Sequence, residues 1–330
     1  MKEITDIPDT SNAKKFDDVA SFELSNEKQM NLVEGTLVGL AVGDALGTTL
    51  EEFCKPESVK PIQDIVGGGP FNLEPGQWTD DTSMALCLAD SLVICNGFDP
   101  VDQLERYLKW YKEGYLSSTG TYFDIGNATK VALEKFEKTR NAFCGSDSLE
   151  KSGNGSIMRL APVPMFFSNH MDNAIQMSGE SSKTTHASIL CVDACRLLGS
   201  IISGCFNGFD KKQVLSDKYL KNYWKKHPLC SEIEEILLGS YKKKNPPEIE
   251  GSGYVVKSLE AALWAFHNSN NFEDGCLMAV NLGWDADTTG AVYGQIAGSY
   301  YGLDSIPKKW IEKIWDLKLI KSFANKLNQT

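Results

Sequence analysis

The spacing of apolar residues is the feature of this sequence that most restricts its fold. From about residue 30 to the end, stretches of ten or more residues carry apolar side chains three and four positions apart, and alternating β-branched runs bounded by hairpin turns are hard to find. Such spacing places side chains on one face of an α-helix. The clearest groups are Met84, Leu88 and Leu92; Ile189, Val192, Leu197 and Ile201; Val255, Leu259, Leu263 and Phe266; and Trp310, Ile314, Leu317 and Phe323. The pattern predicts an all-α fold, a compact multi-helix domain whose last group forms one amphipathic terminal helix.

The chain divides into a short polar leader and one large domain. Residues 1–26 are polar, mixed in charge and without periodicity, which predicts a flexible leader. Residues 27–330 are predicted to form a single domain, because 42% of the chain is hydrophobic and can bury a sizeable core. Two segments are predicted to be loops: residues 66–70, where three glycines and a proline oppose a helix, and residues 242–247, which combine lysines with prolines.

The charge balance excludes some classes of partner. Lys and Arg number 33 and Asp and Glu number 44, a formal net charge of −11. A general affinity for nucleic acid or for an anionic membrane surface is therefore not expected, since both need clustered positive charge. An anionic small molecule is still compatible with this balance, because bound divalent cations can reverse the sign of one local pocket.

The cysteines and the hydropathy pattern bear on the compartment. Nine cysteines are scattered without a Cys-x-x-Cys pair, which indicates free thiols in a reducing environment rather than a disulfide framework. The first residues lack the apolar core of a signal peptide, and no run of about 18 apolar residues could span a membrane. We therefore expect a cytoplasmic, monomeric protein without a membrane partner.

Two short acidic segments are the candidates for chemistry. The first reads Thr79-Asp80-Asp81 and the second Asp285-Ala286-Asp287-Thr288, and each stands where a helical pattern begins. Short polar side chains commonly cap such helix starts, which explains one aspartate in each segment more easily than two. Carboxylate and hydroxyl oxygens are also the ligands that magnesium and manganese prefer, and shared carboxylates can bridge two ions. From the residue types alone, helix capping and a two-metal site both remain open.

Five motifs in a fixed order then resemble a known family. They are Gly43-Asp44-Ala45-Leu46-Gly47, Trp78-Thr79-Asp80-Asp81-Thr82, Gly153-Asn154-Gly155-Ser156-Ile157-Met158-Arg159, Thr185-His186 and Asp285-Ala286-Asp287-Thr288-Thr289-Gly290. The order resembles that of the ADP-ribosylglycohydrolases, in particular the dinitrogenase reductase-activating glycohydrolases and their bacterial relatives. The resemblance covers about residues 30–325.

This resemblance implies an enzyme with a dinuclear metal centre. It implies an all-α fold with two Mg²⁺ or Mn²⁺ ions at the base of a cleft, and hydrolysis of the bond between the ribose anomeric carbon and a protein side chain, commonly arginine. An ADP-ribosylated protein would be the substrate and ADP-ribose the product. The matching positions for the metal ligands are Thr79, Asp80, Asp81, Asp285, Asp287 and Thr288.

The resemblance also implies catalytic carboxylates and a substrate-binding wall. Glu51, Asp124 and Asp285 match the catalytic positions, although this chain has Glu51 and Glu52 where one glutamate is expected, so that both remain candidates. Residues Asn154, Gly155 and Ser156 match a loop that cradles the pyrophosphate, and His186 matches a residue that hydrogen-bonds to the substrate. On their own, the glycine-containing segment could be an ordinary loop and His186 a helix cap or a buried core residue.

Several residues keep two interpretations. Gly39, Gly43 and Gly47 are spaced four apart, which favours close helix packing as much as a role in binding. Arg159 could contact the anion or form a structural ion pair. The candidates for stacking on adenine are Tyr122, Trp284 and Tyr293, each of which could instead belong to the core.

Other functions compete with hydrolysis of ADP-ribosyl-arginine. On the same scaffold, the substrate could be ADP-ribosyl-serine, poly(ADP-ribose) or another nucleotide, the last including a metal-dependent phosphohydrolase reaction. A non-catalytic, crystallin-like relative is the remaining alternative. Loss of catalysis usually removes metal ligands, and all six matching oxygen donors are present here, which favours an enzyme.

Overall fold

The structure, a computed structural model, describes residues 24–51 and 60–328. Most of the predicted leader, residues 1–23, lies outside the described residues, as do Glu52 and Phe53. Helix α1 already begins at Asn26, where the side chain of Ser25 accepts a hydrogen bond from the amide of Lys28. The boundary between leader and domain stays a prediction.

Helices are the main secondary structure of the described residues, which confirms the predicted all-α class. Only isolated β-bridges, such as Gly68–Leu73, occur within the described residues. Short 3₁₀ turns cover Thr48–Leu50, Leu149–Lys151, Ser240–Lys242 and Leu303–Ser305. The α-helices are α1 (Asn26–Gly47), α2 (Asp80–Cys95), α3 (Pro100–Glu113), α4 (Asn127–Thr139), α5 (Pro162–Phe166), α6 (Met171–Lys183), α7 (Ile189–Phe206), α8 (Lys211–Val214), α9 (Lys221–Lys226), α10 (Ser231–Leu237), α11 (Val255–Asn268), α12 (Phe272–Val280), α13 (Ala286–Tyr301), α14 (Lys308–Ile311) and α15 (Leu317–Asn328).

An antiparallel pair, α1 and α13, forms the centre of the fold. The two helices touch through their backbones: a Cβ atom built on Gly43 would lie 2.0 Å from the carbonyl oxygen of Gly290, and one built on Gly39 would lie 2.5 Å from that of Gly294. Any side chain larger than hydrogen would force the helices apart. The packing interpretation of Gly39, Gly43 and Gly47 is therefore confirmed.

The remaining helices surround this pair. Helices α2 and α15 pack against α1, whereas α7, α11 and α12 pack against α13. Helix α6 covers α7, and α3 covers α2. Both central helices are buried along most of their length, which explains why glycine spacing, rather than a one-sided apolar stripe, marks them in the sequence.

The predicted apolar groups fall on α2, α7 and α11, and their side chains are buried with one exception. Ile189 is 51% exposed, because it occupies the first position of α7. Helix α7 is also long and apolar enough, by length and composition, to cross a membrane. In this structure 83% of it is buried among other helices, so the core accounts for its apolar surface.

The prediction of one terminal helix was wrong. Two helices, α14 and α15, replace it, and Asp316 between them has a φ of 40°. The chain is held at this point by a distant loop, since the amide of Trp315 donates a hydrogen bond to the carbonyl oxygen of Gly76 at 3.0 Å. Trp310 and Ile314 still contribute to the core, as their apolar character predicts.

The two predicted loops are confirmed. Gly67, Gly68 and Gly69 have φ values of 70°, 83° and 66°, in the left-handed region that a helix does not use. Residues 242–247 are largely exposed, and Lys244 forms an ion pair with Glu260. All eight cysteines in the described part of the chain are free thiols.

Candidate active site

The two acidic segments meet at the starts of α2 and α13. The hydroxyl oxygen of Thr79, just before α2, lies 3.2 Å from Oδ2 of Asp81 and 3.4 Å from Oδ2 of Asp287 on α13. These segments are roughly 200 residues apart in sequence. They converge because α1 contacts α13 directly and its Asp44 bonds to the start of α2.

Asp44 fastens the start of α2 to α1. Its carboxylate accepts hydrogen bonds from the amide of Thr79 at 2.9 Å, from the amide of Thr82 at 3.0 Å and from the hydroxyl of Thr82 at 2.6 Å. Burial raises the pKa of Asp44 to about 6, and these hydrogen bonds partly offset that rise. Asp44, on a neighbouring helix, thus accepts the hydrogen bonds that a local capping residue would otherwise accept.

Capping does not explain the acidic segments. The residue that precedes α2, Thr79, and the residue that precedes α13, Asp285, make no side-chain capping hydrogen bond. Asp80 and Asp81 instead occupy the first turn of α2, and Asp287 the first turn of α13. There the positive ends of two helix dipoles favour negative side chains.

The carboxylates at this point form one electrostatically coupled group. Burial, followed by the charge of Asp124, raises the pKa of Asp80 well above its ordinary value. Burial and the nearby charge of Glu51 do the same to Asp287, and burial and Asp44 do so to Asp81. A set of buried acids that repel one another is costly unless protons or cations neutralise it.

The predicted catalytic carboxylates join the same group. Glu51 stands at the end of the turn that follows α1, and Asp124 precedes α4 with a φ of 53°. One oxygen each of Glu51, Asp124 and Asp287 lies within 4.8 Å of the others. Asp285 accepts a hydrogen bond at its Oδ2 from the side-chain Nδ2 of Asn154 at 3.0 Å.

A cleft of about 280 Å³ opens above these carboxylates. Thr79 and Asp81 are buried and do not line it. By their chemistry, the residues that line it form two sets. We call the first set the acidic wall: Glu51, Asp80, Asp124, Asp285, Asp287 and Thr288. We call the second set, which carries no acidic group, the second wall: Gly126, Asn127, Ala128, Thr129, Gly153, Asn154, Gly155, Met158, His186 and Gly253.

The predicted substrate-binding residues lie on the second wall, with one difference. Asn154, Gly155 and His186 line the cleft. The hydroxyl of Ser156 does not line the cleft and lies 2.9 Å from the hydroxyl oxygen of Ser182, to which it donates because Ser182 gives its own hydrogen to the carbonyl oxygen of His186. Within residues 24–51 and 60–328, the amides of Gly155 and Ser156 donate to no acceptor, which suits a loop that receives an anion. The binding and catalytic roles of these residues stay predictions.

Sequence reasoning missed the start of α4. Residues Gly126, Asn127, Ala128 and Thr129 line the cleft, and the residue before the helix, Gly126, has no side chain to cap it. The first amides of a helix attract anions. The available signal was the glycine immediately after the Tyr122–Ile125 region, at the point where a helical pattern begins.

The structure bears on the interpretations of four other residues. Tyr293 is fully buried and its hydroxyl donates to the carbonyl oxygen of Phe272, so it belongs to the core. Tyr122 and Trp284 are each 45% exposed and stay candidates for stacking. Arg159 is buried and, in the part of the chain described, pairs with no carboxylate and lines no part of the cleft. The ion-pair interpretation of Arg159 is therefore wrong for the described residues, whereas its interpretation as an anion contact stays a prediction that its position outside the cleft does not favour.

The acidic group has the chemistry of a site for divalent cations. All its donors are oxygens, which suits Mg²⁺ and Mn²⁺. Oδ1 of Asp81 is buried and has no hydrogen-bond partner within the described residues. A buried carboxylate oxygen in that position needs a positive partner. The residues present therefore fit a metal centre.

Replacing Thr82 with valine tests the bond between α1 and α2. We expect Thr82→Val to lower the free energy of unfolding by about 1–3 kcal/mol, because it removes a 2.6 Å hydrogen bond to a buried carboxylate. Urea denaturation in excess chelator would measure the change. Thr36→Val is the matched control, since the Thr36 hydroxyl bonds only to a carbonyl oxygen within α1 and should change stability by less than about 1 kcal/mol. Equal effects of the two substitutions would contradict this role of Asp44.

Comparisons of the sequence and of the structure with known proteins agree on one family. The family model described as ADP-ribosylglycohydrolase matches residues 25–330. The chain is 40% identical to an ADP-ribosylarginine hydrolase Tri1 of Serratia proteamaculans, over 92% of this chain and 81% of that protein. It is 30% identical to an ADP-ribosyl-[dinitrogen reductase] glycohydrolase of Rhodospirillum rubrum, over 89% of this chain and 93% of that protein. A solved structure titled ADP-ribosylglycohydrolase-related protein complex matches with a TM-score of 0.81 and 38% identity, over 92% of this chain and 99% of that one.

Proposed function

Because the chain belongs to the ADP-ribosylglycohydrolase family, we propose that it releases ADP-ribose from ADP-ribosylated arginine side chains of proteins. The choice of arginine rests on the relatives at 40% and 41% identity that are named ADP-ribosylarginine hydrolases. The observation that carries the proposal is the meeting of both acidic segments at one wall of a cleft whose other wall is formed by residues 153–155 and the start of α4.

Two Mg²⁺ or Mn²⁺ ions are proposed as the cofactor. Thr79, Asp80, Asp81, Asp285, Asp287 and Thr288 would hold them, because these oxygen donors lie at the two helix starts. Such ions, when bound, neutralise substrate oxygens and lower the pKa of a coordinated water. The mutual repulsion of Asp80, Asp81 and Asp287 supports this assignment, since the repulsion has to be relieved by positive charge.

The carboxylates would also assist the reaction directly. Hydrolysis of a glycosidic bond passes through a transition state with positive charge on the ribose ring, which nearby carboxylates stabilise. Glu51 and Asp124 lie beside Asp287 at the acidic wall, where a carboxylate oxygen of Glu51 can take the proton from the attacking water. The oxygen of that water then forms a bond to the anomeric carbon while the bond from this carbon to the guanidinium nitrogen breaks. The electron pair of the broken bond stays on the nitrogen, so that arginine leaves as a neutral guanidine and takes a proton from solvent.

The second wall would bind the ADP part of the substrate. A pyrophosphate is repelled by the acidic wall and is attracted to amides that lack an acceptor. The amides of Gly155 and Ser156 meet this requirement, and the first turn of α4 lies in the same cleft. The anomeric carbon would thereby lie next to the carboxylates of the acidic wall, and the phosphates would lie at the second wall.

Release of ADP-ribose from an ADP-ribosyl-arginine protein is the direct test. We expect release with Mg²⁺ or Mn²⁺ and none in excess chelator. Serine-linked ADP-ribose and poly(ADP-ribose) serve as comparison substrates under the same conditions. Release that persists in chelator would reject the metal centre but not the hydrolase. Faster release from serine-linked or polymeric substrates would reject the arginine specificity.

A further inference from the structure

Arg159 carries a buried positive charge with no negative partner among the described residues. The residue is 1% exposed, and none of the described carboxylates forms an ion pair with it. Its guanidinium stacks on the ring of Tyr107 at 4.4 Å, and its Nε has no hydrogen-bond partner within the same part of the chain. Burying such a charge is costly, and a cation–π contact offsets only part of that cost. The group therefore needs a role beyond packing.

Arg159 forms its shortest hydrogen bond with the side chain of Thr185. A terminal nitrogen of the guanidinium donates a hydrogen bond to Oγ1 of Thr185 at 2.5 Å. The same oxygen lies 2.9 Å from Nδ1 of His186. Because an arginine can only donate, the hydroxyl accepts from Arg159 and keeps its own hydrogen for another acceptor. Nδ1 of His186 is the acceptor that the structure provides.

His186 lies between Thr185, with which it shares a hydrogen bond, and the cleft, and its backbone is held in place by Ser182. Its amide donates to the carbonyl oxygen of Ser182 at 2.7 Å, and the hydroxyl of Ser182 donates to its carbonyl oxygen at 2.7 Å. Nε2 faces the glycine loop, since Cβ atoms built on Gly153 and Gly155 would lie 3.5 Å and 3.3 Å from it. Nε2 has no acceptor among the residues described, and His186 lines the cleft.

The protonation of His186 agrees with this geometry. Burial, followed by the charge of Arg159, lowers the pKa of His186 to about 3. The ring is therefore neutral between pH 5 and pH 8. A neutral ring whose Nδ1 accepts a hydrogen bond must carry its proton on Nε2.

We infer that Arg159 and Thr185 are positioning residues that hold His186 in a single neutral tautomer, with Nε2–H presented to the cleft as a hydrogen-bond donor. The identity of the acceptor, an oxygen of ADP-ribose, rests on the proposed function. His186 then binds substrate without exchanging a proton with it. The buried charge of Arg159 adds to the effect of burial in keeping the ring neutral, and its hydrogen bond orients the hydroxyl of Thr185 between them.

Nitrogen-15 NMR of histidine-labelled protein tests the tautomer without any ligand. The chain has four histidines, and the His186→Asn variant assigns the ring signals of His186. At pH 7 we expect Nδ1 at the chemical shift of an unprotonated ring nitrogen and Nε2 at that of a protonated one. The opposite tautomer, or an imidazolium, would overturn the inference.

Thr185→Val tests the relay, and its neighbour provides a matched control. Thr185→Val removes the hydroxyl, so we expect a mixture of tautomers and ADP-ribose binding weakened by about tenfold, as for loss of one oriented hydrogen bond. Thr185→Ser should restore both. Thr184→Val removes a buried hydroxyl that bonds to Ser181 and Gln103 instead, and should change neither the tautomer nor the affinity by more than about twofold.

Two further results separate this inference from the proposed function. Arg159→Met, which removes the charge but keeps an unbranched side chain, should also give mixed tautomers, and a wild-type tautomer in both Arg159→Met and Thr185→Val would overturn the relay. If the wild-type tautomer is as expected and Thr185→Val alters it, the relay is supported. Failure of the wild-type protein to bind ADP-ribose in that case would reject the proposed substrate only.

Discussion

Asp287→Asn is expected to reduce ADP-ribose release by about 10³-fold or more, because loss of this proposed metal ligand would remove several kcal/mol of transition-state stabilisation. The folded structure should survive the change. Asp287 lies in a buried group of acids that raise one another's pKa values, and an uncharged amide of the same shape relieves that repulsion. In excess chelator, the melting temperature of the variant should therefore equal or exceed that of the wild type.

Asp304→Asn is the matched control for this prediction. Asp304 is exposed and lies beyond the opposite end of α13, so the substitution removes the same charge far from the cleft. Its turnover should remain within about twofold of the wild type, as for surface substitutions generally. Turnover of Asp287→Asn above a tenth of the wild-type rate would contradict the assignment of Asp287, and a large fall in its melting temperature would point to a structural role instead.

Gly294→Ala is expected to lower the free energy of unfolding by about 3 kcal/mol or more, which can prevent the protein from folding. A Cβ atom on Gly294 would lie 2.0 Å from the carbonyl oxygen of Gly39 and 2.5 Å from its carbonyl carbon. Backbone atoms cannot move aside as a flexible side chain can, so α1 and α13 would have to separate. The better helix propensity of alanine, about 1 kcal/mol, does not compensate.

Gly97→Ala is the control for the helix contact. A Cβ atom there would meet only the carbonyl oxygen of Cys95, at 3.9 Å, and the backbone is not in the left-handed region. Urea denaturation followed by circular dichroism would compare the two variants. Equal denaturation midpoints would show that α1 and α13 can move apart without loss of stability.

The sequence predicted the helices better than their ends. Apolar spacing identified α2, α7 and α11, because each of these helices has a side that must be buried. The same spacing ran across the gap between α14 and α15, since Trp310 and Ile314 are as buried as Phe323. The break between α14 and α15 depends on a hydrogen bond from the amide of Trp315 to the carbonyl oxygen of Gly76. The local sequence cannot predict a partner that is so distant along the chain.

The sequence predicted the residue types of the site better than the contacts between its residues. Asp80 and Asp287 stood out because two acids at a helix start exceed what capping requires. Their meeting depends on Asp44, whose hydrogen-bond partners at the start of α2 could not be inferred from the sequence. Arg159 shows the opposite problem. Its residue type suggested an anion or an ion pair, and only the burial beside Thr185 shows what it contacts.

The backbone contact between α1 and α13 also bears on which ion the proposed metal centre would accept. Mg²⁺ binds oxygens at about 2.0–2.1 Å and Ca²⁺ at about 2.3–2.6 Å, with more ligands. Asp287 begins one of these helices, and Asp44 on the other holds the start of α2. Because the glycines of α1 and α13 bring the two backbones into direct contact, we expect the fold to hold the two acidic segments at a fixed distance. At the proposed metal centre, a larger ion would then have to be accommodated by rotation of the carboxylates, so that the contact between the central helices would favour the smaller cation.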